Sequence, residues 1–211
     1  MKRLPQIMMF LASLLLVSLF IWPMWRITLV APQYPGGVTM YIYINRIGGE
    51  SEGTLQNINI LNHYVGMEPI VPESIPELQY FQWIVLAMVV LGLVAAIVNR
   101  RGAFLAWAIT MIVLAAAGLY DFYLWEYAYG HNLSPDAPIK IPGASYQPPL
   151  IGTKTILNFI ATSLPHTSGI LAGVAIVLAL AAWWLKGKIE SDEKAPARRA
   201  RRADALVHTL A

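Results

Sequence analysis

His63 and Met67 stand four residues apart in Asn62-His63-Tyr64-Val65-Gly66-Met67, a spacing that puts an imidazole and a thioether on one face of a helix. A nitrogen donor beside a soft sulfur donor suits copper, above all Cu(I). His131, in Tyr129-Gly130-His131-Asn132, is a third candidate ligand from a distant stretch of chain. A plainer account makes the first pair a capped helix end with Met67 as core filler. No His-x-His pair, Met-rich run or cysteine accompanies them, so any copper would be held transiently.

A second set of polar residues sits where apolar runs end: Arg26, Gln82, Asp121, Glu126 and His166. From Arg101 to Asp121 and from Lys186 back to His166 the sequence runs equally far, roughly 30 Å each as helix. That levels Asp121 with His166. Asn158, Thr162 and His166 recur every four residues, the spacing of one helical face, and Asp121 and Trp125 share another, with Glu126 and Tyr129 nearby. Ionisable groups at the edge of a membrane are costly unless they face protein or water. These could form a proton, quinone or metal site. They could equally be an interfacial pinning layer, with Arg26 paired to Asp121 and the Trp and Tyr residues as an aromatic belt.

The elements that would position these residues are apolar and long. Residues 7–22, 81–98, 103–120 and 169–185 carry almost no charge, the chain is 57% hydrophobic and its mean hydropathy is +0.54. A helix crossing roughly 30 Å of hydrocarbon needs about 20 apolar residues. The expectation is an all-α transmembrane fold: a four-helix membrane domain with two ordered periplasmic loops forming a small β-containing cap. Its expected parts are a first span over 1–30, an outer loop over 31–79, spans over 80–99 and 100–121, a second outer loop over 122–154, a fourth span over 155–187 and a tail over 188–211.

Basic residues set the orientation. Of the 15 Lys and Arg, Lys2, Arg3, Arg100, Arg101, Lys186, Lys188, Lys194, Arg198, Arg199, Arg201 and Arg202 fall on one side. Only Arg26, Arg46, Lys140 and Lys154 fall on the other. The expected location is therefore a bacterial inner membrane, multi-pass, with both termini cytoplasmic and the loops periplasmic. The bulky Phe20-Ile21-Trp22-Pro23 offers no small-x-small cleavage site, which favours an uncleaved anchor over a signal peptide. The tail alternates acidic and basic residues and reads as disordered chain or a frayed helix. With the basic excess so placed, a pI near 9.2 does not point to nucleic acid.

The chain has no cysteine, which removes disulfides, covalent haem and iron–sulfur clusters. With four histidines, one of them (His208) in the tail, it does not offer the pair that a bis-histidine haem requires at membrane depth. No nucleophile elbow, phosphate loop, zinc-protease helix or dinucleotide fingerprint occurs. An autonomous enzyme is not the default.

The short Asn99-Arg100-Arg101-Gly102 link predicts antiparallel neighbours. In the first outer loop Val38, Met40, Ile42 and Ile44 alternate with Thr39, Tyr41, Tyr43 and Asn45, which predicts a strand bracketed by turns at Gly36-Gly37 and Gly48-Gly49. Residues 55–67 predict a short helix ending at Gly66. Five prolines in the second outer loop predict extended chain.

Four strings, Ala31-Pro32-Gln33-Tyr34-Pro35, Leu61-Asn62-His63-Tyr64-Val65-Gly66-Met67, Asp121-Phe122-Tyr123-Leu124-Trp125-Glu126-Tyr127 and Tyr146-Gln147-Pro148-Pro149-Leu150-Ile151-Gly152, resemble those of a membrane-protein family. That family accompanies nitrous oxide reductase gene sets in Bacteroidota and related bacteria, near the copper chaperone lipoprotein and the ABC-type maturation proteins. The resemblance spans residues 22–159. It implies an accessory protein partnered with a periplasmic copper enzyme or its maturation proteins, by copper delivery, maturation or electron supply. The residues alone leave two other readings open: a small non-catalytic subunit of a quinol-linked respiratory complex, beside other membrane subunits, and a structural anchor.

Overall fold

The computed structural model describes residues 2–143 and 145–210, with 197–210 described by backbone alone. It is mostly helical, with three long apolar helices and a five-stranded antiparallel sheet. The first helix, α1 (Leu4–Leu15), tightens into a 3-10 segment at Leu16–Phe20. Strands β1 (Trp25–Ala31), β2 (Tyr34–Ile42) and β3 (Ile47–Gly49) follow, then α2 (Thr54–Val65). The long helices α3 (Glu77–Val98) and α4 (Arg101–His131) lead to strands β4 (Gly152–Ile156) and β5 (Phe159–Pro165), and the chain closes with α5 (Thr167–Leu210).

Small residues let the helices approach closely. Ala12 of α1 and Ala175, Ala179 and Ala182 of α5 are fully buried, and at Gly92 of α3 an added Cβ would strike Ser13 of α1. Trp107 of α4 donates its indole N–H to the Met88 carbonyl of α3, 2.9 Å away. The α3–α4 turn is made by Asn99 in the left-handed region, φ 51°. On its outside the bundle shows Val90, Leu91, Val94 and Ile97 of α3, Ile112 and Val113 of α4 and Val177 of α5. Apolar side chains all round a helix are the mark of a lipid-facing or buried span.

The sheet runs β3-β2-β1-β5-β4, so β1, the continuation of the first helix, lies beside β5, which leads into α5. Their register pairs Arg26 with Leu164 and Thr28 with Thr162. The junction is tied further: the His166 N–H donates to the Met24 carbonyl, the Ser168 N–H to Pro23 and the Ser168 hydroxyl to Trp22. One face of the sheet carries Trp25, Ile27, Leu29 and Met40, packed against α2 and Phe122 of α4. The other carries hydroxyls, with Thr28–Thr39 and Thr153–Thr162 bonded at 3.0 Å each. Chain 132–151 straps the ends of α2 and α4, with Ser134 N–H on Gly66 O, Ile139 N–H on Tyr64 O and Tyr146 N–H on Gly130 O.

Several boundaries differ from expectation, each for a local reason. The first helix stops at Phe20 and falls short of the other three, because Pro23 bars helix before it and Ile27, Thr28 and Val30 favour strand. The fourth helix begins at Thr167 and not near residue 155: residues 152–165 are a hairpin, with Asn158 in its two-residue turn and Thr162 in β5. A spacing of four fits a period of two as well as a helical turn, and β-branched Thr153, Thr155, Ile156, Ile160 and Thr162 decide for strand. Helix α4 runs ten residues past Asp121, because nothing between Asp121 and Tyr129 breaks it. Its length is roughly 46 Å at 1.5 Å per residue, more than a bilayer core. Gly36-Gly37 and Gly48-Gly49 both lie in strands, β2 and β3, and the turn before β2 falls at Pro32-Gln33.

The expected strand is present as β2, which ends at Ile42 and leaves Tyr43, Ile44 and Asn45 outside it. The expected short helix is present as α2, which ends at Val65 with Gly66 as its left-handed cap, φ 81°, and leaves Met67 beyond it. The tail is continuous helix with Pro196 inside it, not disordered chain. The side chains of Arg198, Arg199, Arg201, Arg202 and His208 lie outside the described residues.

Candidate functional site

Between the apolar face of the sheet, α2, and the cap-side halves of α3 and α4 lies a cavity of about 890 Å³. Its walls are apolar: Ile27 and Met40 from the sheet, Phe81 and Met88 from α3, Met111 and Phe122 from α4. The Trp107–Met88 bond ties the two long helices together at the level where the cavity ends. Above it they part. Tyr80 of α3 and Tyr120 and Leu124 of α4 line the cavity and are also 45%, 65% and 45% exposed, so the space opens sideways between these helices.

The polar groups are few and of one sign. Among the described residues Glu77, Asp121 and Glu126 are the only charged ones in the lining, and no described Lys, Arg or His reaches the chamber. Glu126 is 5% exposed, and neither carboxylate oxygen has a partner among the described residues. Tyr146 is equally buried and its hydroxyl is also unpartnered. Its backbone N–H on Gly130 O places it one helical turn beyond Glu126. At the opening, Tyr80 donates weakly to Glu77 (3.4 Å), and the charges of Glu77 and Asp121 lie close enough to interact.

The other expected site residues are placed elsewhere. Arg26 points to the hydroxyl-bearing face of the sheet, opposite Tyr41, and makes no ion pair. Among the described residues the one ion pair is Lys2–Glu193, 2.7 Å, which is not the Arg26–Asp121 pair of the pinning-layer reading. His166 packs edge-on against Tyr41 with Nδ1 buried and unpartnered, outside the chamber. Gln82 donates to the Gln79 carbonyl of its own helix. Arg101 of α4 lies over the Trp183 ring of α5, 4.9 Å from its centroid, so both helices leave the hairpin side together.

His63 and Met67 do converge, on a second pocket of about 490 Å³ where α2 meets chain 132–151, with Glu68, Ser134 and Asp136. Met67 also lines the chamber, so it forms part of the wall between the two spaces. His131 is not among the lining residues: its ring stacks on Tyr127 (4.0 Å, 18°) and its Nδ1 is 2.9 Å from the Tyr127 carbonyl. Nδ1–H on that carbonyl leaves Nε2 as the free donor atom. Among the described residues no group of three or more His, Cys, Asp or Glu side chains is arranged to hold a metal.

Sequence reasoning missed Glu77 and Tyr146. Glu77, following Pro76 at the start of an apolar helix, had a signal in its first-turn position. Tyr146 had none, since only folding of the proline-rich strap brings it to Glu126.

No protein-family model matches this chain, and no curated protein matches it. Its class rests on its own residues. It is a mostly helical protein with three helices long and apolar enough to cross a membrane, and a small antiparallel sheet.

Proposed function

We propose that this chain is an accessory protein of the bacterial inner membrane, crossing it four times with both termini cytoplasmic and the cap periplasmic. Through the cap it serves a periplasmic copper enzyme of the nitrous oxide reductase type, by copper delivery, maturation or electron supply. Three long apolar helices and the uneven distribution of Lys and Arg support the placement. The Lys2–Glu193 pair, which brings the N-terminus beside the far part of α5, agrees with it. The functional half draws on the family resemblance. The observation that carries it is the convergence of His63 and Met67 on one pocket built from both cap loops.

The test compares the copper content of the periplasmic reductase purified from cells with and without this chain. Lower copper in its absence is the expected result. Normal copper with slowed electron delivery would move the role to the quinol-linked reading, which the chamber favours. Full copper and full delivery would leave only a structural anchor.

A further inference from the structure

We propose that the chamber is a binding site for an uncharged amphipath of the isoprenoid quinol class. The ligand comes from the bilayer through the opening between α3 and α4 and lodges its hydroxyl head against Glu126 and Tyr146. This rests on the membrane placement proposed above and is independent of copper.

Four observations converge on that chemistry. The volume, about 890 Å³, lies within the roughly 300–1,000 Å³ of pockets that enclose drug-sized ligands, and the walls are apolar with a few polar groups at one end. That polar end holds two buried side chains, Glu126 and Tyr146, whose oxygens have no partner among the described residues. A buried carboxylate without a partner is costly, so the site is built for a donor that the protein does not itself supply. The charge pattern selects further. With Glu77 and Asp121 at the opening and no basic residue in the lining, a phosphate or fatty-acid head meets repulsion, whereas a neutral hydroxyl is accepted. Finally, the wall beside Glu126 is aromatic: Trp125 and Tyr129 lie with ring centroids 5.6 Å apart, and Trp25 meets Phe122 edge-on at 5.6 Å. Flat faces of that kind suit a planar ring.

The way in is equally specific. Ala117, Tyr120 and Leu124 lie at i, i+3 and i+7 on α4, so they form one edge, and all three are exposed while lining the chamber. An apolar tail leaving along this edge stays in hydrocarbon while the head is buried.

The test uses the full chain in phosphatidylcholine nanodiscs, titrated with decylubiquinol and followed by tryptophan fluorescence, since Trp25 and Trp125 line the chamber. Saturable quenching is expected. Glu126→Gln should weaken it about tenfold, the worth of about one hydrogen bond. Tyr146→Phe should weaken it less, and Ala117→Trp, which narrows the opening without touching the head site, should slow association. His63→Ala should change nothing. Non-saturable quenching, identical in wild type and in the Tyr146→Phe and Ala117→Trp variants, would mean partitioning into lipid and overturn the site. Competition by phosphatidylglycerol would overturn the neutral-head assignment. Release of the chain from membranes by alkaline carbonate would overturn the membrane placement instead, a separate failure.

Discussion

The indole N–H of Trp107 donates to the backbone carbonyl of Met88 across the α3–α4 interface at 2.9 Å. This bond marks where the two helices stop packing and begin to part, and it sits beside Gly92, whose missing side chain leaves room for Ser13 and for the indole itself. Trp107→Phe keeps most of the ring and removes the donor, so it should cost about 1 kcal/mol. Gly92→Ala forces a methyl into Ser13 and Trp107 and should cost more, about 1–3 kcal/mol for overpacking. Thermal unfolding in a mild detergent reads both. An unchanged midpoint for Gly92→Ala would show that α1 and α3 are not in such close contact.

Orientation can be read directly, because the chain lacks cysteine. Glu52→Cys and Ser134→Cys, both exposed in the cap, should react with an impermeant thiol reagent in intact spheroplasts. Glu190→Cys should react only after the membrane is opened. The reverse pattern would place the cap in the cytoplasm.

Copper binding is a separable question. Purified protein is expected to take up Cu(I) about stoichiometrically, with His63→Ala weakening binding more than Met67→Ala, since imidazole is the stronger donor and a thioether mainly selects the soft ion. His131→Ala should have the smallest effect, as its ring is committed to Tyr127. Equal loss in all three would put His131 in the coordination sphere.

Lys2 and Glu193 allow a check on pH. The Glu193 carboxylate, hydrogen-bonded to the Lys2 ammonium, holds that ammonium above its ordinary range. Any stability it adds is therefore present below the usual lysine value and lost as pH rises through the raised one. Both groups are fully exposed, so Glu193→Gln should lower the Lys2 titration midpoint, seen by NMR, and leave thermal unfolding unchanged. A clear drop in unfolding temperature would mean that the pair does more than an exposed ion pair usually does.

Long apolar runs made α3, α4 and most of α5 legible in the sequence, and strict alternation made β2 legible. The hairpin at residues 152–165 was not, because Asn158, Thr162 and His166 fit a helical face as readily as one side of a strand. Asp121 looked like the end of a span, yet the helix continues through an aromatic stretch whose propensities are nearly neutral. Of the chamber, Asp121 and Glu126 could be singled out as ionisable residues near a boundary. Their relation to Tyr146 could not, since it is set by a hydrogen bond between segments separated by a proline-rich strap that has no periodicity to read. His63 and Met67 could be paired because they are close in sequence, one in the last turn of α2 and the other just past its Gly66 cap.

The β1–β5 ladder fastens the first and last helices at one end of the bundle, and the exposed Lys2–Glu193 pair lies between them at the other. That side of the molecule is a spine. On the opposite side α3 and α4 are joined at their hairpin and by the Trp107–Met88 bond, and the chamber lies beyond that bond, toward the cap. The chamber's opening thus lies on the side away from the β1–β5 ladder, and widening it would leave that strand pairing untouched.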